Sequence, residues 1–172
     1  MPEIVIIRPD QNTEIDPTTS GFAHGFGLFE TMRLSGSVLY FWEAHWARLL
    51  ASAAAFELAL PTAEQALAGI RSLVKEVGLT SATIKLSLMK GATDSCLYIY
   101  TRPATPLPEK IQLCYDANFP IFTSSALAGH KTHNYMESMH LLASARSSGR
   151  HDLLRISSEG HLAETTTANV FF

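Results

Sequence analysis

Residues 21–42 read GFAHGFGLFETMRLSGSVLYFW, and how this stretch divides decides the fold. The glycines of GFAHGFG (21–27) invite comparison with a phosphate-binding loop, but such loops open a helix whose first amides hold the anion. Here the glycines lead into LFETMRL (28–34), a strand-forming run. SGS (35–37) follows, with Gly36 able to supply a positive φ, and then VLYFW (38–42). The pattern predicts a β-hairpin and argues against a nucleotide fold built on a glycine loop.

Working outward, EIVIIRP (3–9) reads as a strand closed by Pro9, and residues 10–21 as a polar connection. After the hairpin, Trp46, Leu49, Leu50, Ala53 and Phe56 recur at helical spacing, predicting a helix over 43–58 that Pro61 ends. A second helix is expected over 61–78. Thr62 and Gln65 fit a capping box, Leu67, Ile70, Leu73, Val74 and Val77 form its stripe, and Gly78 stops it. ATIKLSLM (82–89) and CLYIYT (96–101) alternate as strands. RPATPLPEK (102–110), with three prolines, marks a boundary between an N-terminal α+β lobe (1–105) and a second lobe (106–172).

In the second lobe IQLCY (111–115) reads as a strand and 116–133 as irregular. A helix is expected from Asn134, with Glu137 as a reciprocal cap and Tyr135, Met139, Leu142 and Ala143 on one face, stopped by Gly149. DLLRISSEGHLAE (152–164) reads as a hairpin and NVFF (169–172) as a strand reaching the last residue.

With 172 residues, 47% of them hydrophobic, the chain can bury a sizeable core. A net charge of −3 without a basic block argues against nucleic acid or anionic membrane as a partner. Cys96 and Cys114 lack metal-ligand spacing and are expected as buried free thiols, and the absence of a leader-like opening suggests a soluble cytoplasmic protein. His130 and His133 lie three apart in HKTH, but in a loop without a third ligand at hand, so no metal site is expected.

Arg48, Lys131 and Glu164 would each be ordinary surface charges if taken singly. Together they supply what a pyridoxal phosphate site requires: an amine for covalent attachment, a guanidinium for the phosphate, and an acid to keep the pyridine nitrogen protonated. The hydroxyls and amides of TTT (165–167) are natural further phosphate donors.

GFAHGFGLFETMRL, HWARLLASA, HKTHNYMES and GHLAETTTANVFF, in that order, resemble the motif blocks of the class IV aminotransferases, the fold-type IV pyridoxal phosphate enzymes. The resemblance spans about residues 20–172. It implies an α+β, two-lobed fold: an N-terminal two-layer α/β lobe and the beginning of a C-terminal β-barrel-like α/β lobe that carries cofactor. Family members usually continue well beyond the NVFF block, so the second lobe is expected to be incomplete.

The resemblance makes Lys131 the lysine that joins the cofactor as a Schiff base and shuttles protons. Glu164 becomes the partner of the pyridine nitrogen and Arg48 a phosphate ligand. Thr166 and Thr167 fall at cofactor contacts, Asn169 braces their turn, and Tyr135 approaches the phenolic oxygen. Phe29 and Thr31 would line the substrate side; Thr31 falls where the family's aminodeoxychorismate lyase carries a threonine. Lys90 falls near a position where some D-amino acid enzymes carry an arginine for the substrate carboxylate. The implied activity is transamination between an amino acid and a 2-oxo acid, in a homodimer. Pyruvate release from 4-amino-4-deoxychorismate and a non-catalytic role remain open.

Overall fold

The computed structural model describes residues 2–8, 13–104, 106 and 108–171. The chain forms two compact units: Met1–Thr105 with His130–His133, and Pro106–Gly129 with Asn134–Phe172.

The first unit is a five-stranded sheet in the order β1-β5-β4-β2-β3. Its strands are β1 (Glu3–Ile6), β2 (Gly27–Ser35), β3 (Val38–Leu39), β4 (Ser81–Lys90) and β5 (Ser95–Pro103). Only β1 and β5 run parallel; the other pairs are antiparallel. Successive side chains on a strand point to opposite faces, so each alternation in the sequence becomes a face of the sheet. Leu28, Met32 and Leu34, Ala82, Ile84, Leu86 and Leu88, and Leu97 and Ile99 form one buried face. Two helices, α2 (Trp42–Ala55) and α3 (Ala63–Val77), contribute Leu49, Ala53, Ala66, Ile70 and Leu73 to the same core. The register sets Phe29, Ser87 and Tyr98 in one row across the other face, and Thr31, Lys85 and Tyr100 in the next.

The hairpin forms with Gly36 at φ 58°, but its second strand is two residues long. Phe41 adopts a left-handed φ of 57° and turns the chain into α2, which takes up Trp42. On α2 the expected stripe shifts: Leu50 is exposed and Ser52 is buried. A short helix α1 (Ser20–His24), capped by Thr19, occupies the end of the expected polar connection. Gly21 permits it to press on β4, since a Cβ there would meet the Lys90 carbonyl oxygen at 2.7 Å. Pro9, expected to close β1, lies outside the described residues.

The second unit is a three-stranded sheet in the order β6-β7-β8, from β6 (Leu113–Tyr115), β7 (Asp152–Ile156) and β8 (Leu162–Thr165). Helix α4 (Met136–Ser147) buries Leu141, Leu142 and Ala145, and Leu141 and Ala145 form a small core with Leu153 and Cys114. Three expectations fail here. The helix starts at Met136, with no side-chain cap at Tyr135. Glu137 bonds Arg155 of β7 at 2.5 Å instead of capping, and Leu141 and Ala145 turn inward while Met139 and Ala143 are exposed. NVFF is not a strand among the described residues; Asn169 makes one isolated bridge, to Glu164. Both cysteines are free thiols but only half-buried. Among the described residues no helix is long and apolar enough to cross a membrane.

The capping box of α3 is complete: Gln65 N–H donates to Thr62 Oγ1 at 3.2 Å, and Thr62 N–H to Gln65 Oε1 at 2.9 Å. Thr62→Ala removes one of these bonds on an exposed surface. Urea denaturation should show a loss of about 1 kcal/mol; an unchanged midpoint would contradict the assigned cap.

Candidate active site

Residues 130–133 were expected to be irregular, but they pair with the start of β2. Phe29 N–H donates to the Lys131 carbonyl at 2.8 Å, His133 N–H donates to that of Gly27 at 2.9 Å, and Thr132 bridges Leu28. This short antiparallel contact sorts the side chains by strand alternation. His130 and Thr132 take the helix side, where His130 Nδ1 lies 2.9 Å from Ser52 Oγ, its ring sits edge-on to Phe56, and Thr132 is buried.

Lys131 and His133 take the other side, against Phe29. The Lys131 Nζ lies 4.5 Å from the centre of the Phe29 ring, and the His133 ring centre 5.3 Å from it. Lys85 brings a second ammonium to the same ring at 4.2 Å. An aromatic face attracts such cations while leaving their N–H groups able to react or bond elsewhere. His133 Nε2 lies 3.0 Å from Ser87 Oγ. Burial, with a smaller contribution from the Lys85 charge, pushes the His133 imidazole down to about 4, so it is neutral at physiological pH. Gly27 is required by this packing, because a Cβ there would lie 2.6 Å from the Leu88 carbonyl oxygen and 3.0 Å from His133.

Phe29 is buried and Thr31 half-buried on this face. Lys90, at the end of β4, lines a cavity of about 470 Å³ together with Ser87, Tyr98 and His133. Arg48 approaches from α2 on the helix side. Its Nε donates to Glu30 Oε1 at 2.6 Å and its Nη2 to Glu30 Oε2 at 2.7 Å, while His45 Nδ1 lies 2.6 Å from Oε2.

The remaining expected site residues belong to the second unit. Glu164 is exposed on β8 and bridged to Asn169, and Thr165 N–H donates to the Ala168 carbonyl at 2.8 Å, closing the TTT turn. Asp152 is its anchor. It accepts from Thr165 Oγ1 at 2.9 Å, from Thr166 N at 3.1 Å and Oγ1 at 2.5 Å, and from Thr167 Oγ1 at 3.0 Å. The Thr166 and Thr167 hydroxyls are thus engaged inside the unit. Tyr135 stands half-buried at the head of α4, its carbonyl accepting from Met139 N–H at 2.9 Å.

Lys131, Phe29 and Thr31 share one sheet region, Arg48 is bound on its helix side, and Glu164, Thr166, Thr167 and Asn169 share one turn. Lys85, Ser87, Glu30 and Asp152 were not singled out from the sequence, and His133 was weighed there only as a metal ligand. The alternation of ATIKLSLM does carry a signal for Lys85 and Ser87, which fall opposite its buried Ile84, Leu86 and Leu88.

The family model for amino-transferase class IV matches residues 27–172, and the chain belongs to that family, whose members are pyridoxal phosphate-dependent aminotransferases and lyases. No curated protein matches the sequence. Among solved structures, a putative 4-amino-4-deoxychorismate lyase from Legionella pneumophila superposes with a TM-score of 0.82 at 25% identity, over 96% of this chain and 65% of that one. A fold IV transaminase from Curtobacterium pusillum gives 0.78 at 21% identity, over 92% of this chain and 58% of that one. The Escherichia coli branched-chain amino acid aminotransferase gives 0.80 at 18% identity, over 89% and 58%. The fold is therefore that of the fold-type IV enzymes, and the chain spans less than two thirds of the length of these relatives.

Burial alone would raise the Asp152 carboxyl, but the bonds from Thr166, the Leu153 amide, Thr165 and Thr167 outweigh it and hold the group below its ordinary value. Its contribution is therefore full above about pH 4 and is lost as pH falls through the folded-state value. In acid titrations followed by urea denaturation, Asp152→Asn should be less stable than wild type at neutral pH and lose less on acidification. Parallel acid limbs for the two proteins would contradict the assignment.

Proposed function

We propose that the protein is a pyridoxal phosphate-dependent aminotransferase that moves an amino group between an amino acid and a 2-oxo acid, as a cytoplasmic homodimer. The observation that carries the reading is the pairing of residues 131–133 with β2, which fixes the Lys131 amine over the Phe29 ring in a chain of a pyridoxal phosphate-dependent family. The chemistry of the donors supports the reading: an amine on an ordered backbone, a guanidinium whose side chain is 46% exposed, and a carboxylate exposed on β8.

When bound, the cofactor supplies an aldehyde that traps amines and a ring that stabilises negative charge at the substrate α-carbon. Lys131 would hold it covalently through Nζ, and the same amine, when free, would take the substrate α-proton and return it. Glu164 keeps a proton on the pyridine nitrogen. Arg48 and the backbone amide of Thr167 would hold the phosphate, with Thr166 keeping the turn in place through Asp152, Asn169 steadying that turn, and the Tyr135 hydroxyl meeting the phenolic oxygen. Phe29 and Thr31 shape the substrate side, with Lys90 as a carboxylate partner.

A second reading, elimination of pyruvate from 4-amino-4-deoxychorismate, is favoured by the likeness to the Legionella structure, which is described as a putative lyase for that substrate. Amino acid supplied without 2-oxo acid should convert bound cofactor to its amine form if the protein is a transaminase. Pyruvate release from aminodeoxychorismate, with no such conversion, would instead establish the lyase.

Borohydride treatment of the protein with pyridoxal phosphate should fix the cofactor on Lys131, located by peptide mass spectrometry. Lys131→Ala should lose both the label and more than about a hundredfold in turnover. A label on another lysine, or undiminished turnover, would overturn the reading.

A further inference from the structure

Glu30 is out of place by composition. Strand alternation puts it on the helix-covered face of β2 between Leu28 and Met32, opposite Leu86, and it is only 1% exposed. A carboxylate there must be compensated, and both its oxygens are used by two residues one turn apart on α2, His45 and Arg48. As a device for stability alone this is a poor choice, because well-packed apolar residues usually replace a buried ion pair without loss. What the arrangement does supply is direction. Two near-parallel bonds through Nε and Nη2 fix the plane and rotation of a guanidinium, whose other donors then point in a set direction. Nearly half of the Arg48 side chain remains exposed despite this clamp.

We propose that Glu30 is a positioning residue that aims the Arg48 guanidinium at the phosphate of the cofactor; this rests on the functional reading above. Held in this way, Arg48 loses little rotamer freedom when the phosphate arrives, so the clamp contributes to phosphate affinity without touching the cofactor. The prediction is specific to the phosphate and leaves attachment through Lys131 alone.

The test is an equilibrium absorbance titration of the full chain with pyridoxal phosphate and, separately, with pyridoxal, which lacks the phosphate. In Glu30→Gln the dissociation constant for pyridoxal phosphate should rise about tenfold or more, with that for pyridoxal changed by less than about twofold. Circular dichroism should still show a cooperative melt. Should Glu30→Gln fail to fold, Glu30→Asp, which keeps the charge but withdraws the oxygens, is judged by the same ratio. Equal changes for the two ligands, or none for either, in protein whose wild type binds pyridoxal phosphate would overturn the role of Glu30 alone. A wild type that binds no pyridoxal phosphate would overturn the functional reading, and the inference with it.

Discussion

Two backbone hydrogen bonds, from Phe29 to Lys131 and from His133 to Gly27, attach a three-residue segment to β2 from about a hundred residues further along the chain. Closing so long a loop costs conformational entropy that two bonds would not offset alone. The attachment is completed by Thr132 buried beside Leu28, by His130 between Ser52 and Phe56, and by His133 against Ser87. Strand geometry then leaves no choice of direction for Lys131. A shift of one residue in this pairing would exchange its place with that of its neighbours and send the amine to the helix side.

The same economy recurs in the buried charges. Glu30 and Asp152 are both carboxylates taken almost wholly out of solvent, and both have their oxygens fully engaged. Neither is an obvious reactive group. Each holds a neighbouring group instead: Glu30 clamps the guanidinium of Arg48, and Asp152 gathers three consecutive threonines into one turn beside Glu164. A buried ion pair such as Glu30–Arg48 contributes little net stability relative to a packed apolar core, so its value lies in geometry.

How much of this was legible in the sequence depends on how local each signal is. The hairpin, both ends of α3 and strands β4 and β5 follow from alternation and capping, which act within a few residues. The family blocks pointed to Lys131, Arg48 and Glu164 as residues. Their partners were hidden, because a charged residue reads by default as surface and nothing near Glu30 or Asp152 announces a contact 13 to 18 residues away. The helix face of α4 was misread for a similar reason: Leu141 and Ala145 pack against Leu153 and Cys114, which lie on strands outside the helix. The pairing of 131–133 left no trace at all, since a single bridge has no periodicity to detect.

The most direct test of the account is native-state hydrogen exchange at the Phe29 and His133 amides. If the segment is bound to β2 as described, both amides exchange slowly, with protection approaching that of the β2–β4 ladder. Exchange at the rate of an open loop at these two positions would contradict it, because Lys131 would then have no fixed place on the sheet.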